Sequence, residues 1–172
     1  MKVDYKDILS ETCAKLRDGG AFLIVGDNPM TIGWAQLGVV WSRPVCTVLV
    51  RQSRYTHELL QSNDCISVCV PGPGEMKEEL AYCGTHSGRD GDKCSACGIT
   101  LLPSETEGAA KHIKGCPVWL EAHIVAVTEL PTADITDKTI VARSYGSNQA
   151  TADGDPHTLY FCEIDAAYRA DE

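Results

Sequence analysis

Short apolar runs that are rich in β-branched residues most constrain what this chain can fold into. Most of them are flanked by Gly, Pro, Asn or Asp, the residues that end strands and form turns. The runs that we predict as strands are 21–25, 44–50, 65–70, 119–127, 139–144 and 158–164. In run 119–127 apolar residues alternate with Glu121 and His123, which predicts one buried face and one wetter face.

Short helical patterns lie between these runs without a regular strand–helix period. Residues 5–16 carry apolar side chains at helical spacing, and residues 53–61 and 75–82 are also predicted as helices. Many short strands with few helices favour a β-rich barrel with helical decoration. A length of 172 residues suits one domain, so we predict a single domain over residues 1–172.

The charge balance restricts the possible partners. The formal net charge is −9, whereas nucleic acid and anionic membrane surfaces attract proteins with excess Lys and Arg. The N-terminal residues lack the continuous apolar region of a secretion signal, and the longest uncharged run, 28–42, is too short for a spanning helix. We therefore expect a cytoplasmic protein that binds neither nucleic acid nor membranes.

The chain contains nine cysteines, and several lie inside apolar runs where a thiol behaves as a small hydrophobic group. Without a secretion signal, free thiols are expected. Cys94 and Cys97 form a Cys-x-x-Cys pair, with Cys83, His86 and Cys116 as further conceivable metal ligands. Because a strong zinc signal needs two such pairs at regular spacing, we expect no metal site, and the role of the cysteines stays open.

The segment 27–41, DNPMTIGWAQLGVVW, mixes apolar residues with Asn, Pro, Thr, Gln and Gly. This mixture fits neither a regular strand nor a helix. Gly and Asn give backbone freedom, and Thr offers a hydrogen-bond donor. We interpret the segment as a loop that can lie against a flat ligand.

Two cationic clusters are candidates for binding a phosphate. In the first, residues 50–56 (VRQSRYT), Arg51, Arg54 and the hydroxyls of Ser53 and Thr56 lie where a strand ends and a helix begins. The second, residues 84–93 (GTHSGRDGDK), adds Ser87 and Arg89 in a glycine-rich stretch. The alternative is that these cations are solvated or paired with carboxylates, and spacing alone does not show that the clusters meet.

His157 follows Gly154, Asp155 and Pro156 at the start of a predicted strand. There it could reach a ligand or take part in proton transfer, or it could serve only as a polar or capping residue. Neither a dinucleotide-binding glycine fingerprint nor a P-loop occurs in the chain. A bound phosphate would therefore depend on the two cationic clusters.

Jointly, several of these segments resemble the flavin reductase-like, FMN-binding split-barrel family, which includes the flavoredoxins. The segments are 28–34 (NPMTIGW), 41–44 (WSRP), 50–56 (VRQSRYT), 87–90 (SGRD) with Lys93, and 157–163 (HTLYFCE). The resemblance implies a Greek-key split β-barrel with short flanking helices that forms a homodimer. It also implies one FMN, bound non-covalently, at each of two sites near the subunit interface.

The resemblance also assigns site residues. The isoalloxazine would lie along Asn28, Met30, Thr31, Ile32 and Trp34. The phosphate and ribityl end would be held by Arg51, Ser53, Arg54, Thr56, Ser87, Arg89 and Lys93. His157 is the one candidate for a catalytic residue, because the chemistry of such proteins belongs mainly to the flavin.

The implied function is an FMN-dependent oxidoreductase that takes a hydride from NADH or NADPH and passes electrons to a flavin or another acceptor. An alternative is an electron carrier whose permanently bound FMN exchanges electrons with protein partners. A third possibility is a thiol or zinc protein built on Cys94 and Cys97. The sequence leaves open the acceptor, the choice of nicotinamide, and whether FMN is a fixed cofactor or an exchanging substrate.

Overall fold

The computed structural model of the protein describes residues 1–146 and 155–171. Its strands are β1 (Lys2–Val3), β2 (Ala21–Val25), β3 (Asn28–Ile32), β4 (Ala35–Val40), β5 (Arg43–Arg51), β6 (Cys65–Val70), β7 (Leu101–Leu102), β8 (His112–Ile113), β9 (Val118–Leu130) and β10 (His157–Arg169). Its α-helices are α1 (Leu9–Arg17), α2 (Tyr55–Leu59), α3 (Lys77–Thr85), α4 (Lys93–Cys97) and α5 (Lys138–Ser144). Short 3-10 turns cover Tyr5–Ile8 and Thr132–Asp134.

Most strands form one antiparallel sheet in the order β3-β2-β6-β9-β10-β5-β4, and β1 pairs with β10. In a flat sheet of this order β3 and β4 would lie roughly 29 Å apart, at about 4.8 Å per strand. Only Gly33 and Trp34 connect them, and such a short connection spans about 10 Å at most. The sheet must therefore curl until its two ends meet, which makes a barrel.

The barrel stays open along the line where its ends meet, because β3 pairs with β2 alone and lies at an end of the strand order. Strand β5 returns across the sheet to pair with β10, as in a Greek key. The sequence-based fold prediction, a Greek-key split β-barrel with short flanking helices, is confirmed. The open edge of β3 is the feature that positions the site described below.

Two apolar clusters lie on opposite faces of the sheet, because neighbouring side chains in a strand point to opposite sides. Inside the barrel, Leu23 packs with Val68, Leu120 and Tyr160. On the outer face, Phe22 and other residues are covered by α3, α4 and the β7–β8 hairpin; this second cluster includes Cys69, Leu80, Cys83, Ile113 and Trp119. Helix α3 thus anchors one wall of the site to the sheet.

Two sequence-based secondary-structure predictions are wrong. Residues 139–144 were predicted as a strand, but they lie in α5, whose start is capped by Asp137. The Asp137 carboxylate accepts hydrogen bonds from the N–H and hydroxyl of Thr139, so a cap outweighs the β-branched sequence that follows. The segment 27–41 is not a loop, since it forms β3 and β4 on either side of a two-residue connection.

The prediction of a wetter face on run 119–127 is also wrong at Glu121, which is fully buried. Its two carboxylate oxygens accept hydrogen bonds from the backbone N–H groups of Glu105 and Thr106. The segment before β8 therefore covers this face and satisfies the charge. The predicted strands 21–25 and 65–70 coincide with β2 and β6, and the other remaining strands and the three predicted helices are present with shifted ends. Among the described residues, no helix is both long and apolar enough to cross a membrane.

Candidate functional site: a cleft along the open edge of the barrel

A cleft follows the open edge of β3 and consists of adjoining cavities. The first, of about 180 Å³, is lined by Thr31, Trp34, Arg51 and His157, and we call it the aromatic cavity. The second, of about 240 Å³, is lined by Arg54, Ser87, Arg89 and Lys93, and we call it the cationic cavity. Met30, Arg51 and Arg54 line both cavities, so the two are continuous.

The edge strand presents its backbone to the cleft. Pro29 has no N–H and so occupies a position of β3 that does not bond to β2. Since backbone groups of alternate residues point to the same side of an antiparallel strand, the N–H and carbonyl of Thr31 also point away from β2. The Thr31 hydroxyl is used elsewhere, because it donates to the Leu80 carbonyl at 2.6 Å. Thr31 therefore offers the cleft its backbone and not its side chain.

Aromatic rings surround His157 in the aromatic cavity. The Trp34 ring lies 4.9 Å from the imidazole, measured between centroids, and the Tyr145 hydroxyl lies 2.6 Å from His157 Nδ1. Trp34 is 42% exposed, so it belongs to the wall of the cavity and not to the core. The Arg51 guanidinium lies 4.9 Å from the Tyr145 ring centroid, within the range of a cation–π contact.

His157 is neutral at physiological pH. Burial, together with the positive charge of Arg51, lowers the pKa of His157 to about 4. Burial also raises the pKa of Tyr145, so the phenol keeps its proton. With Tyr145 as the donor to Nδ1, the neutral imidazole carries its proton on Nε2. His157 can then donate or accept a hydrogen bond, but it is not an imidazolium acid at neutral pH.

The two cationic clusters of the sequence meet in the cationic cavity. Arg89 Nη1 donates to the Ser53 carbonyl at 3.1 Å, which ties the 84–93 segment to the turn between β5 and α2. Arg89 also pairs with Glu58 at 3.0 Å, an exposed contact that contributes little stability. Arg54 donates to the Gly84 carbonyl at 3.0 Å. Side chains about thirty positions apart in sequence thus line one space.

Lys93 is the most buried cation of this cavity, with 5% of its surface exposed. The ion pairs found within residues 1–146 and 155–171 include neither Lys93 nor Arg54. Burial lowers the pKa of Lys93, and the charge of Arg54 acts in the same direction. A buried ammonium is costly without an anion beside it, so this arrangement favours the binding of an anion.

Asp155 alters the expected phosphate site at the start of α2. Its carboxylate accepts hydrogen bonds from the Ser53 N–H at 3.0 Å and from the Ser53 hydroxyl at 2.7 Å. Arg51 donates to the carbonyls of Asp155 and Ser144, at 3.0 and 2.6 Å. Arg51 and Ser53, two of the residues expected to hold a phosphate, are therefore already hydrogen-bonded within the protein. The accessible cationic groups are shifted toward Arg54 and Lys93.

Asn28 and Gly88 form the floor between the cationic cavity and the space behind it. Asn28 Nδ2 donates to Thr56 Oγ1 at 2.9 Å, so both side chains are buried in one contact. A Cβ atom on Gly88 would lie 2.3 Å from Asn28 Oδ1 and 2.8 Å from a Tyr55 ring carbon. Glycine is thus required here for the close approach of the 84–93 segment to β3.

The thiols near the cleft are not joined in disulfides. All nine cysteines are free, and no group of His, Cys, Asp and Glu that could hold a metal occurs in the part of the chain that the structure describes. Burial raises the pKa of Cys83 to about 12 and that of Cys94 to about 11, so both stay protonated at neutral pH. Protonated thiols are poor nucleophiles, so Cys83 and Cys94 are not activated for nucleophilic chemistry.

The structure thus gathers the predicted site residues along one cleft. The cavity walls include Met30, Thr31, Ile32, Trp34, Arg51, Ser53, Arg54, Thr56, Ser87, Arg89, Lys93 and His157, and Asn28 lines the space next to them. Sequence reasoning missed Tyr145 and Asp155 as contacts of His157 and Ser53. Asp155 lies in the noted 154–157 segment, but nothing in the sequence connects Tyr145 to the cleft.

These features define a split-barrel protein whose open edge carries an aromatic cavity joined to a cationic one. The family model described as "Flavin reductase like domain" matches residues 17–172. The chain therefore belongs to the flavin reductase-like family.

Solved structures agree with this assignment. Flavoredoxin from Methanosarcina acetivorans has a TM-score of 0.65 at 27% identity, covering 89% of this chain and 69% of that one. The NADH:FAD oxidoreductase SgcE6 of Streptomyces globisporus C-1027 has a TM-score of 0.63 at 20% identity, covering 88% of this chain and 75% of that one, and it shows likeness of fold alone.

A curated relative, the uncharacterized protein YddH of Escherichia coli (strain K12), is 28% identical over 101 residues. The match covers 59% of this chain and 52% of YddH, so the chain spans about half the length of that relative.

Proposed function

We propose that this protein binds FMN in the cleft and uses it as an oxidoreductase that takes a hydride from NADH or NADPH. The observation that carries the proposal is the pair of cations Arg54 and Lys93, which face a cavity that continues into the aromatic one. A ligand that joins a flat ring system to a phosphate fits this combination. The family membership and the flavoredoxin structure at 27% identity support the choice of a flavin.

The residues at each end suit the two parts of FMN. The ring system would lie along Met30, Thr31, Ile32 and Trp34, and the phosphate would be held by Arg54, Lys93, Ser87 and Arg89. Ser53 and Arg51 contribute less to the phosphate than the sequence suggested, since Asp155 and Ser144 already accept their hydrogen bonds. Thr56 and Asn28 shape the floor through their mutual hydrogen bond.

When bound, FMN supplies the two-electron chemistry, accepting a hydride and passing electrons on. The chain's own task is to bind and orient the group. The backbone N–H of Thr31, which points away from β2, would be available to donate to the ring system, and Trp34 would limit access of water to the aromatic cavity. Neutral His157 holds Trp34 and Tyr145 in place and can donate from Nε2, so its proposed role is positioning rather than acid catalysis.

The second candidate function is a flavin-containing electron carrier, and the likeness to the flavoredoxin structure supports it. In this alternative FMN stays bound and exchanges electrons with a protein partner, without a reaction with NAD(P)H. The net charge of −9 suits docking of a basic partner. The acceptor in the leading proposal is a free flavin or another small molecule.

Anaerobic stopped-flow mixing separates the two functions. The FMN-loaded protein is mixed with NADH and, separately, with NADPH, while the visible flavin absorbance is followed. The oxidoreductase proposal expects that absorbance to bleach with at least one nicotinamide. Absence of bleaching, with full reduction by dithionite, would contradict it and favour the carrier. Absence of FMN binding would reject both functions.

The proposal includes a homodimer. Trp41 forms the tip of the β4–β5 hairpin, is 62% exposed and has a φ of 53°, an unfavourable conformation for a bulky residue. Val39 beside it is 64% exposed, and the Trp41 ring lies 6.1 Å from that of Phe161. A second copy of the chain is the proposed partner for this apolar tip. Light scattering should give twice the chain mass for the wild type and the monomer mass for Trp41→Glu; a monomeric wild type would contradict the proposal.

A cytoplasmic location completes the proposal. Nine free thiols suit a reducing compartment, where protein disulfides are rare. Fractionation of cells that express the native protein tests this. Recovery in the cytoplasmic fraction is expected, and recovery in a secreted or periplasmic fraction would contradict it.

A further inference from the structure

Three sulfur atoms meet in the apolar cluster on the outer face of the sheet. Cys69 lies on β6, Cys116 lies between β8 and β9, and Met76 directly precedes α3. The Cys116 thiol is in hydrogen-bond contact with the Cys69 sulfur, and its Sγ lies 3.8 Å from Met76 Sδ. Sulfurs that each bind one shared ion at about 2.3 Å lie roughly 4 Å apart in a trigonal arrangement, so this spacing suits a metal ion.

The Cys69 sulfur is held by hydrogen-bond donors. The backbone N–H of Ile113 donates to it at 3.3 Å, and the Cys116 thiol is a second donor. The N–H of Cys116 in turn donates to the Ile113 carbonyl at 3.3 Å, so a single turn after β8 brings the two cysteines together. Hydrogen bonds to a sulfur favour its thiolate, which is the form that binds metals.

Met76 occupies a position that does not suit methionine. Its backbone is left-handed, with a φ of 52°, and it stands at the cap position of α3. Glycine or asparagine adopts this conformation at lower cost, and an asparagine side chain also caps a helix, whereas a thioether is a poor cap. The contribution of Met76 therefore comes from its side chain, whose sulfur faces Cys116.

We infer that Cys69, Cys116 and Met76 bind one Cu(I) ion. Two thiolates with one thioether form a soft ligand set, which suits Cu(I) better than Zn²⁺, an ion that structural sites bind with four ligands from Cys and His. Both thiols lose their protons to solvent as the two thiolate–copper bonds form, and the thioether binds without a proton change. Copper stays Cu(I), so the step needs neither an oxidant nor a reductant. The inference does not depend on the proposed function.

A cavity beside the sulfur ligands gives an ion an approach. It has a volume of about 350 Å³ and is lined by residues 71–74 together with Val70 and Pro117. Val70 directly follows Cys69 in the chain, and Pro117 directly follows Cys116. The cavity is separate in its lining residues from the aromatic and cationic cavities. Copper binding should therefore leave the flavin cleft open.

Charged side chains near Cys116 should tune the affinity. Two thiolates and Cu(I) leave one net negative charge, which is costly to bury without a cation nearby. The charged groups that act on Cys116 include Lys15 and Glu75, and both are bonded to Gly72, at 3.2 Å to its carbonyl and at 3.1 Å to its N–H. Lys15→Met should therefore weaken Cu(I) binding, and Glu75→Gln should strengthen it.

Anaerobic titration of the full chain with Cu(I), in competition with the chelator bicinchoninate, tests the inference. The wild type should withhold one equivalent of Cu(I) from the chelator. Cys69→Ala and Cys116→Ala should release it, while Cys162→Ala, which truncates another buried cysteine, should retain it. Met76→Leu keeps the apolar packing and removes the sulfur, and it should bind Cu(I) at least about 10-fold more weakly.

The Cys94 and Cys97 pair provides the control for other thiols. Cys97 Sγ donates to the Lys93 carbonyl at 2.9 Å and Cys94 Sγ to the Asp27 carbonyl at 3.7 Å. The double variant Cys94→Ser/Cys97→Ser should therefore keep the wild-type affinity for Cu(I).

Three results would overturn the inference. The first is a wild type that yields all Cu(I) to the chelator. The second is loss of binding in the Cys94→Ser/Cys97→Ser variant. The third is unchanged affinity in Met76→Leu, a variant that leaves both cysteines of the site in place.

Discussion

The aromatic and cationic cavities are built in different ways. The aromatic cavity depends on regular structure, because the open edge of β3, the end of β5 and the start of β10 supply its walls. The cationic cavity depends on a turn and the 84–93 segment, which meet through the contact of Arg89 with the Ser53 carbonyl. The shape of the aromatic cavity is thus set by the strands of the barrel, whereas the charge of the cationic cavity is set by residues outside the strands. Substitutions of those residues should therefore change anion binding without changing the fold.

Replacement of Lys93 should have the largest effect, a loss of FMN affinity in the cationic cavity. Lys93→Met keeps the length of the side chain and removes a buried cation that lacks a carboxylate partner among the described residues. FMN binding should weaken by about 1.5–3 kcal/mol, roughly 10- to 150-fold, the range for hydrogen bonds to charged groups. Titration with FMN and with riboflavin, which has no phosphate, measures the effect.

The Lys93→Met variant should fold as well as the wild type or better, because it removes a buried charge. Lys114→Met is the matched control on an exposed lysine and should bind FMN normally. An equal loss of riboflavin and FMN affinity would show that Lys93 does not act through the phosphate.

A methyl group at Gly88 should disturb the floor of the cationic cavity. Gly88→Ala forces Asn28 and Tyr55 apart, so the free energy of unfolding should fall by about 1–3 kcal/mol in urea denaturation. Gly38→Ala, where no atom lies within 4 Å of the added methyl, should change it by less than about 0.5 kcal/mol. Equal stability of the two variants would contradict the packing described for Gly88.

The neutral state of His157 predicts a loss of stability in acid. The folded protein holds the pKa at about 4, whereas the unfolded chain takes up a proton near the ordinary value of 6.5. The stabilisation is therefore complete above pH 6.5 and is lost as the pH falls toward 4. From pH 7 to 5.5 the free energy of unfolding should fall by about 1 kcal/mol from this group.

Urea unfolding at several pH values measures that loss. In His157→Phe the dependence over pH 7 to 5.5 should be flatter than in the wild type, whereas His86→Phe, at an exposed histidine, should retain the wild-type slope. An identical slope in the wild type and His157→Phe would contradict the assignment of a neutral, buried His157.

Replacement of Asp155 should have the smallest effect. It should raise FMN affinity, whereas replacement of Lys93 should lower it. Asp155→Asn removes a negative charge next to Ser53, so FMN affinity should rise by about 0.5–1 kcal/mol, a factor of two to five. Riboflavin affinity should stay constant. A fall in the affinity for both ligands would mean that Asp155 supports the cleft structurally and does not compete with the phosphate.

Much of the fold could be predicted from sequence because each strand is indicated by the residue pattern of its own short segment. Runs such as Ala21–Val25 and Cys65–Val70 alternate between two buried faces and read as strands. The segment 27–41 was wrongly interpreted as a loop because Pro and Gly usually indicate turns. An edge strand also accepts them, since one of its sides makes no hydrogen bonds to a neighbouring strand. Only the full strand order reveals that β3 is such an edge.

The site was predictable where its residues are close in the chain. Arg51, Ser53 and Arg54 form a motif that can be recognised in the sequence. Their hydrogen-bond partners, which are Ser144, Asp155 and Gly84 respectively, lie at distant positions in the chain. Residue types alone could not distinguish a cation that the fold has already engaged from one that is available. That distinction separates Arg51 from Lys93.

The proposed function requires the cationic cavity to recognise the phosphate of a flavin whose ring lies in the aromatic cavity. The most direct measurement is the ratio of FMN to riboflavin affinity for the wild-type protein, titrated at low and at high salt. We predict a preference for FMN of roughly 100-fold at low salt, about 2.7 kcal/mol, which decreases as salt screens the charges. A ratio near one at both salt concentrations would contradict the account.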